Sequence, residues 1–377
     1  MIIFEPPQSS TIMTKIKDII QHLESFAPPA YQEDYDNSGL ITGNKHERVT
    51  GVVISLDCTE PVVEEAIQKK CNLIVAHHPI VFRGLKKLTG ANYIERTIIK
   101  AIKNDIAIFA IHTNLDNQHY GVNYKIAQKL ELHDPKILRP KTGVLNKLTT
   151  FIPKENSEEV LASLHEAGAG MIGDYKNCSF RLEGTGTFLP VGNAKPTIGE
   201  INKVEKVKEE RVEVIFPSHL KEQILNTLFK VHPYEEVAYY LHELSNIDTQ
   251  HGSGMIGHLN KPMDTKLFLK HVKEKLGVPI IRHTKILKNI ISKVALCGGS
   301  GSFLLKDAIA QGADIFISGD FKYHEFFDAE EHLVIADVGH YESEQFTKEL
   351  IYDNLSEKFA NIALHFTEVI TNPIFYT

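Results

Sequence analysis

Two stretches far apart in the chain share one layout. GVVISLDCTEPVVEEAIQKKCNLIVAHHP (51–79) and SKVALCGGSGSFLLKDAIAQGADIFISGD (292–320) each read as an apolar strand, a small polar turn, a helix, Asn or Asp, and a second apolar strand ending in polar residues. Ala66 and Ile67 fall on Ala308 and Ile309, and Asn72 falls on Asp314. Helical sequence between β-branched runs specifies βαβ units, and uninterrupted apolar strands specify a largely parallel sheet buried on both faces. The next strands match in kind, IAIFAIHTNLD (106–116) after the first unit and HLVIADVGHYESE (332–344) after the second. The expected fold is α/β, with two related halves forming a composite core.

A different pattern separates the halves. LTTFIPKENSEEVLASLHEAG (148–168) and VEVIFPSHLKEQILNTLFKVHP (212–233) each contain a strand, a proline and an amphipathic helix, and more strand-like sequence follows each. A duplicated β-α-β of about a hundred residues is the mark of a ferredoxin-like α+β domain. Gly-rich and polar stretches flank it, as expected for an insertion into a surface loop. The domains expected are 1–140 and 251–377 for the two halves of the core and 141–250 for the insert. Within the insert, KVEKVKEE (203–210) reads as a solvated charged segment and HPYEEVAYY (232–240) as a strand start.

With 42% hydrophobic and 24% charged residues, the 377-residue chain has the composition of a soluble globular protein. A net charge of −7 and a pI of about 6.3 argue against nucleic-acid binding through a general basic surface. Cys58, Cys71, Cys178 and Cys297 are scattered without a CxxC pair, which points to a reducing, cytoplasmic setting. The longest apolar runs are too short to span a bilayer, so no membrane partner is expected. The start, MIIFEPPQSSTIM, lacks the features of a signal peptide, and Met13 opens the first helical pattern. Residues 1–12 therefore read as an extension or as an artefact of start-site choice.

In open α/β sheets ligands bind beyond the carboxyl ends of the strands, so the polar residues there are the candidates. The first half offers His77, His78, His112 and Asp116; the second offers Asp320, His324, His340, Glu342 and Glu344. Adjacent histidines on a regular strand face opposite ways, but Pro79 ends the ladder and lets both rings reach one cavity. If HYESE begins a helix, His340 and Glu344 share one face at i and i+4, while Glu342 points away and is expected to be solvated. Imidazoles with carboxylates suit zinc, manganese, iron or nickel. This number of donors exceeds what one structural zinc needs and suits two ions sharing a carboxylate, a hydrolytic arrangement. His112 reads either as support for the ligands or as packing, and Asp320 and His324 as cavity lining. GGSGS (298–302) reads as a tight turn in preference to a phosphate cradle, because it lacks a P-loop lysine.

DYDNSGL, AHHPIVF, HTNLD, SGDFKYH and GHYESE, in that order, resemble the Nif-three-like family, whose bacterial members carry the name GTP cyclohydrolase I type 2 homologues. The insert, with HPYEEVAYYLHEL, looks like the PII/CutA-like domain of the longer bacterial members. The resemblance implies two metal ions between the halves, with zinc the first choice, and a hexameric toroid. Matched motif to motif, it implies His77, His78, Asp116, His340 and Glu344 as the ligands. The expected function is a metal-dependent hydrolase acting on a nucleotide or related small phosphorylated compound, with His112, Asp320 or His324 relaying protons. The competing expectation is a non-catalytic metal-binding scaffold that senses a small molecule through the insert.

Overall fold

The structure is a computed structural model that describes residues 14–377; the expected extension at 1–12 lies outside the described residues. The chain forms two compact units. One comprises the described residues up to Arg139 together with His251–Thr377, and the other is Pro140–Gln250.

The larger unit is a mixed α/β structure with two sheets. In the first, the strands run in the order Gly39–Thr42, Ala107–Ala110, Leu73–Ala76, Val52–Ser55 and Leu364–Phe366. All pairs are parallel except that of Gly39–Thr42 with Ala107–Ala110. The second sheet is ordered Arg282–His283, Val334–Asp337, Ile315–Gly319, Ile290–Ser300, Ile247–Asp264 and His133–Thr142, with its middle three strands parallel.

The apolar runs explain this layering. Every residue of Val52–Ser55, Leu73–Ala76 and Ala107–Ala110 is buried, because each strand has covered faces on both sides. Alternate residues divide between them. Ile54, Val75 and Phe109 join Leu296, Ile317 and Ala336 of the other sheet in one buried cluster, with helices such as Ile16–Phe26 and Thr265–Leu276. Val53, Ile74 and Ile108 instead pack against the helices Glu60–Gln68 and Tyr93–Lys103.

The residues matched between the two repeats do matching work. Asn72 accepts a hydrogen bond from the Thr50 amide (2.9 Å), and Asp314 accepts from the Ser292 and Lys293 amides (2.9 and 3.0 Å). Each side chain ties the entry of its unit's first strand to the turn before the second. The fixed place of an Asn or Asp in both repeats is thus a backbone requirement.

The smaller unit has a four-stranded antiparallel sheet ordered Phe180–Phe188, Glu205–Pro217, Leu145–Pro153 and Tyr239–Leu244. Along the chain its order is strand, helix, strand, strand, helix, strand, the helices being Ser157–Glu166 and Lys221–Val231. Leu148, Ile152, Val212, Val214 and Phe216 bury one face of the sheet against Val160, Leu164, Ile224 and Leu228. The charged segment at 203–210 belongs mostly to the strand Glu205–Pro217, and Lys203, Lys206 and Lys208 are exposed as expected, whereas Glu209 is only 8% exposed. Neighbours on both sides satisfy that strand's backbone, and half of its residues face away from the helices, where charge is tolerated. Among the described residues, no helix is long and apolar enough to cross a membrane.

Candidate metal centre

The strand Leu73–Ala76 delivers its two histidines with the backbone still held, since the His77 and His78 amides donate to the carbonyls of Ser55 (3.2 Å) and Leu56 (2.9 Å). His77 is fully buried, and its Nδ1 lies 2.8 Å from the Ile111 carbonyl. A carbonyl only accepts, so Nδ1 carries the proton and Nε2 presents a lone pair. That Nε2 has no hydrogen-bond partner, and neither does the buried Oδ1 of Asp116, 3.5 Å away. Two buried acceptors facing each other with nothing between them are costly, unless a cation joins them.

The same orientation recurs at the other rings. His78 Nδ1 lies 2.8 Å from Asp57 Oδ1, His340 Nδ1 is 2.8 Å from Asp320 Oδ2, and His112 Nδ1 is 2.8 Å from Asp36 Oδ1. With the outer nitrogens engaged, the Nε2 atoms of His78 and His340 turn inward to lie 3.3 Å apart. They meet Glu344 Oε2 at 2.9 and 3.1 Å, and Glu344 Oε1 is 3.9 Å from His77 Nε2. Helix His340–Glu344 places His340 and Glu344 on one face. Three overlapping sets have all their ligand atoms within 4.8 Å of one another: His77, His78 and His112; His78, His340 and Glu344; and His77, Asp116 and Glu344. Rings held at Nδ1 by carboxylates or a carbonyl, with Nε2 converging on further carboxylates, match the donor chemistry of divalent metal sites.

Charges follow from this crowding. Burial, with the nearby Glu344, pushes the Asp116 carboxyl up, whereas His340 and the other imidazoles hold Glu344 well below the usual range despite its burial. Burial lowers the basicity of His78, but hydrogen bonds to Asp57 and Glu344 outweigh it and raise the ring to about 9. His340 likewise rises to about 11, through Glu344 and Asp320, against the effect of burial. Without an ion the cluster keeps cations of its own, namely protonated imidazoles.

The wall beside Glu344 is glycine for a reason. GGSGS was expected to be a tight turn, but Gly298–Ser300 end the strand Ile290–Ser300, whose register slips between Leu296 and Ser300, with Gly299 at φ 61°. A Cβ on Gly299 would sit 2.3 Å from Glu344 Oε1 and 3.2 Å from His340 Cε1. The turn into His340 is fixed by buried Asp337, which accepts from the Phe321 and Gly339 amides (3.0 Å each) and pairs with Arg282. Asp337→Ala strands both amides and is expected to cost about 2–4 kcal/mol in urea denaturation; a change within 0.5 kcal/mol would show that the turn holds itself.

Five of the nine residues singled out from sequence, His78, His112, Asp116, His340 and Glu344, line one cavity of about 600 Å³, and the fully buried His77 adjoins it through Asp116 and Glu344. Asp320 stands behind His340 in a left-handed conformation, φ 59°, holding its Nδ1. His324 is not brought in. It lies exposed on the 3-10 turn Tyr323–Ala329, its ring against Tyr323 and Phe327, because that turn leads away from the strand end that the placement assumed. Glu342, expected to be solvated, is 5% exposed and accepts from Asn372 (3.0 Å), since residues near 372 return to cover it. Asp57 and Asp36 were missed. Asp57 sits just past the strand Val52–Ser55, where the strand-end rule would have found it. Asp36 is in a loop with no strand-end signal, but it lies within the motif DYDNSGL.

The comparisons agree with one another. The family model described as Duf34/NIF3 (NGG1p interacting factor 3) matches residues 14–373. The chain is 39% identical over 363 residues to a Bacillus subtilis (strain 168) protein named GTP cyclohydrolase 1 type 2 homolog, covering 95% of this chain and 97% of the relative. It is 36% identical over 367 residues to a Staphylococcus aureus (strain MSSA476) protein of the same name, covering 96% of this chain and all of that one. The crystal structure of a Bacillus cereus protein related to NIF3 superposes with a TM-score of 0.85 at 37% identity, covering 97% of this chain and 100% of that one. The chain therefore belongs to the Duf34/NIF3 family.

Proposed function

We propose that the protein is a metal-dependent hydrolase holding two divalent ions with His77, His78, Asp116, His340 and Glu344. The observation that carries this reading is the pair of unpartnered buried acceptors, His77 Nε2 and Asp116 Oδ1, beside a Glu344 common to two of the three ligand sets. When bound, such ions supply Lewis acidity and a nucleophile at neutral pH. The protein's own groups do the remaining work. Asp57 and Asp320 fix the tautomers of His78 and His340, and His112, held at Nδ1 by Asp36, can hold or pass a proton at Nε2. Tyr35 and Phe82, half-exposed rings 6.1 Å apart, line the same cavity and offer faces to a planar base. No lysine or arginine is among the described residues lining it, so a nucleotide's phosphates would depend on the ions for their countercharge. The name of the Bacillus subtilis relative supports a nucleotide substrate. The family resemblance supports assembly as a homohexamer in the cytoplasm.

The test is a turnover assay of metal-loaded protein on GTP, guanosine and a panel of phosphoesters, beside His112→Gln. His112→Gln is expected to keep its metal and to lose about 10²–10⁴-fold in kcat. Absence of turnover on every compound, with two ions bound, would leave the cluster standing and remove the hydrolase. The second reading, a regulatory scaffold, is favoured by the smaller unit. Its strand order supports a ferredoxin-like, PII/CutA-like domain, and such domains are associated with small-molecule sensing.

A further inference from the structure

The smaller unit has a second cavity, of about 670 Å³, within the range of small-molecule sites. It lies on the sheet face opposite the helices, where Phe151, Arg211 and Tyr240 project, and residues 189–198 form part of its wall. That wall is tied down. The Lys195 amide donates to Glu235 Oε1 (2.6 Å), and the Thr197 hydroxyl donates to the Pro233 carbonyl (2.7 Å). A long connection fastened at both bonds to the same short segment gives a preformed enclosure.

Its chemistry is specific. Glu209, 8% exposed, lies in the lining, and the Tyr234 hydroxyl donates to its Oε1 (2.9 Å). An ionised carboxylate has about four acceptor positions, so one phenol leaves capacity for a ligand. Glu209 is paired across the strands with Gly184, and a Cβ on nearby Gly186 would fall 2.0 Å from Glu209 Oε2. Glycines inside a strand weaken it, and they mark places where another group approaches the backbone closely. Two edge-on aromatic pairs complete the lining, Phe188 with Tyr234 (centroids 5.9 Å) and Phe151 with Tyr240 (5.8 Å). Glu235 and Glu236 add further carboxylates, against Arg211 alone, whose guanidinium is held by Glu213 (2.6 Å). Anions are disfavoured here. Aromatic faces around a buried carboxylate recognise organic cations.

From this we infer that the cavity binds a small organic cation, a protonated amine seated on Glu209 and boxed by aromatic rings. The site is separate from the metal cluster and does not depend on the hydrolase reading.

Calorimetric titration of the intact, metal-loaded protein with three matched probes tests it. Tyramine carries the ammonium, tyrosol replaces it with a hydroxyl, and 4-hydroxyphenylacetate carries an anion. Tyramine is expected to bind at least about tenfold more tightly than tyrosol, and the anion not measurably. Glu209→Gln keeps an acceptor for Tyr234 and should erase the preference for the cation. Tyr240→Ala, at a ring 57% exposed, leaves the fold intact and should weaken tyramine and tyrosol alike. Metal content should be unchanged in both variants. Equal binding of tyramine and tyrosol, a preference that survives Glu209→Gln, or no binding of any probe would each overturn the proposal.

Discussion

Purified without added metal, the His77→Ala/His340→Ala protein is expected to contain none of the two divalent ions proposed for the unaltered chain. Elemental analysis reads this directly. The two substitutions remove one nitrogen from each of the sets containing Glu344, so neither set keeps three donors. Changing the outer partners is milder: Asp57→Asn and Asp320→Asn leave every proposed ligand in place but free an imidazole to turn, for about a 10- to 100-fold loss of affinity. The pH dependence follows from the raised basicity of His78, about 9, and His340, about 11, in the metal-free protein. Both rings are protonated at pH 7, and a ligating imidazole is neutral, so uptake must expel protons. Affinity therefore rises with pH up to these values, by up to about tenfold per pH unit for each proton released. Calorimetry in two buffers of different ionisation enthalpy counts those protons. Uptake without proton release, or affinity that falls as pH rises, would contradict the assignment. Chelation should also lower the melting temperature, because an ion that binds only the folded state stabilises it.

Gly299→Ala is expected to be nearly as damaging through a single methyl group. Two effects combine. The left-handed backbone at φ 61° costs an alanine about 1–2 kcal/mol. The new Cβ also meets Glu344 Oε1 at 2.3 Å, and Glu344 is buried among three imidazoles with nowhere to retreat. Gly312→Ala separates the two. Gly312 has φ 71° and nothing within 4 Å of its Cβ position, so alanine there should show the backbone cost alone and keep the metal. If Gly299→Ala retains full metal content, the close approach of this strand end to Glu344 has no bearing on the cluster.

Much of this was legible because short-range pattern and long-range structure coincide. Apolar runs such as LIVA and IFIS could only be buried strands, and the polar residues after them had to emerge at sheet ends, which brought the histidines and carboxylates into view. What was not legible depends on partners remote in sequence. Asp57 matters because a ring 21 residues later turns toward it. Glu342 is buried because Asn372, 30 residues on, folds back over it. His324 failed for a local reason: a 3-10 turn has a different period from the geometry assumed at that strand end. The charged strand Glu205–Pro217 looked solvated because its apolar alternation starts only near Val212, after the lysines and glutamates.

The placement of Leu364–Phe366 beside Val52–Ser55 bears on how the chain is made. The first sheet lacks this edge strand until residues 364–366 have been translated. The hydroxyl of Thr371 also reaches Asp57 (2.7 Å) across 314 positions of sequence. On the ribosome, the nascent first half must therefore wait with an unpaired edge and with His78 still lacking His340 and Glu344. Contacts of such long sequence separation form slowly, and open edges invite association with other chains. Closure of the sheet consequently comes only after residues more than 300 positions downstream have been made, and assembly of the histidine–carboxylate cluster only after His340 and Glu344.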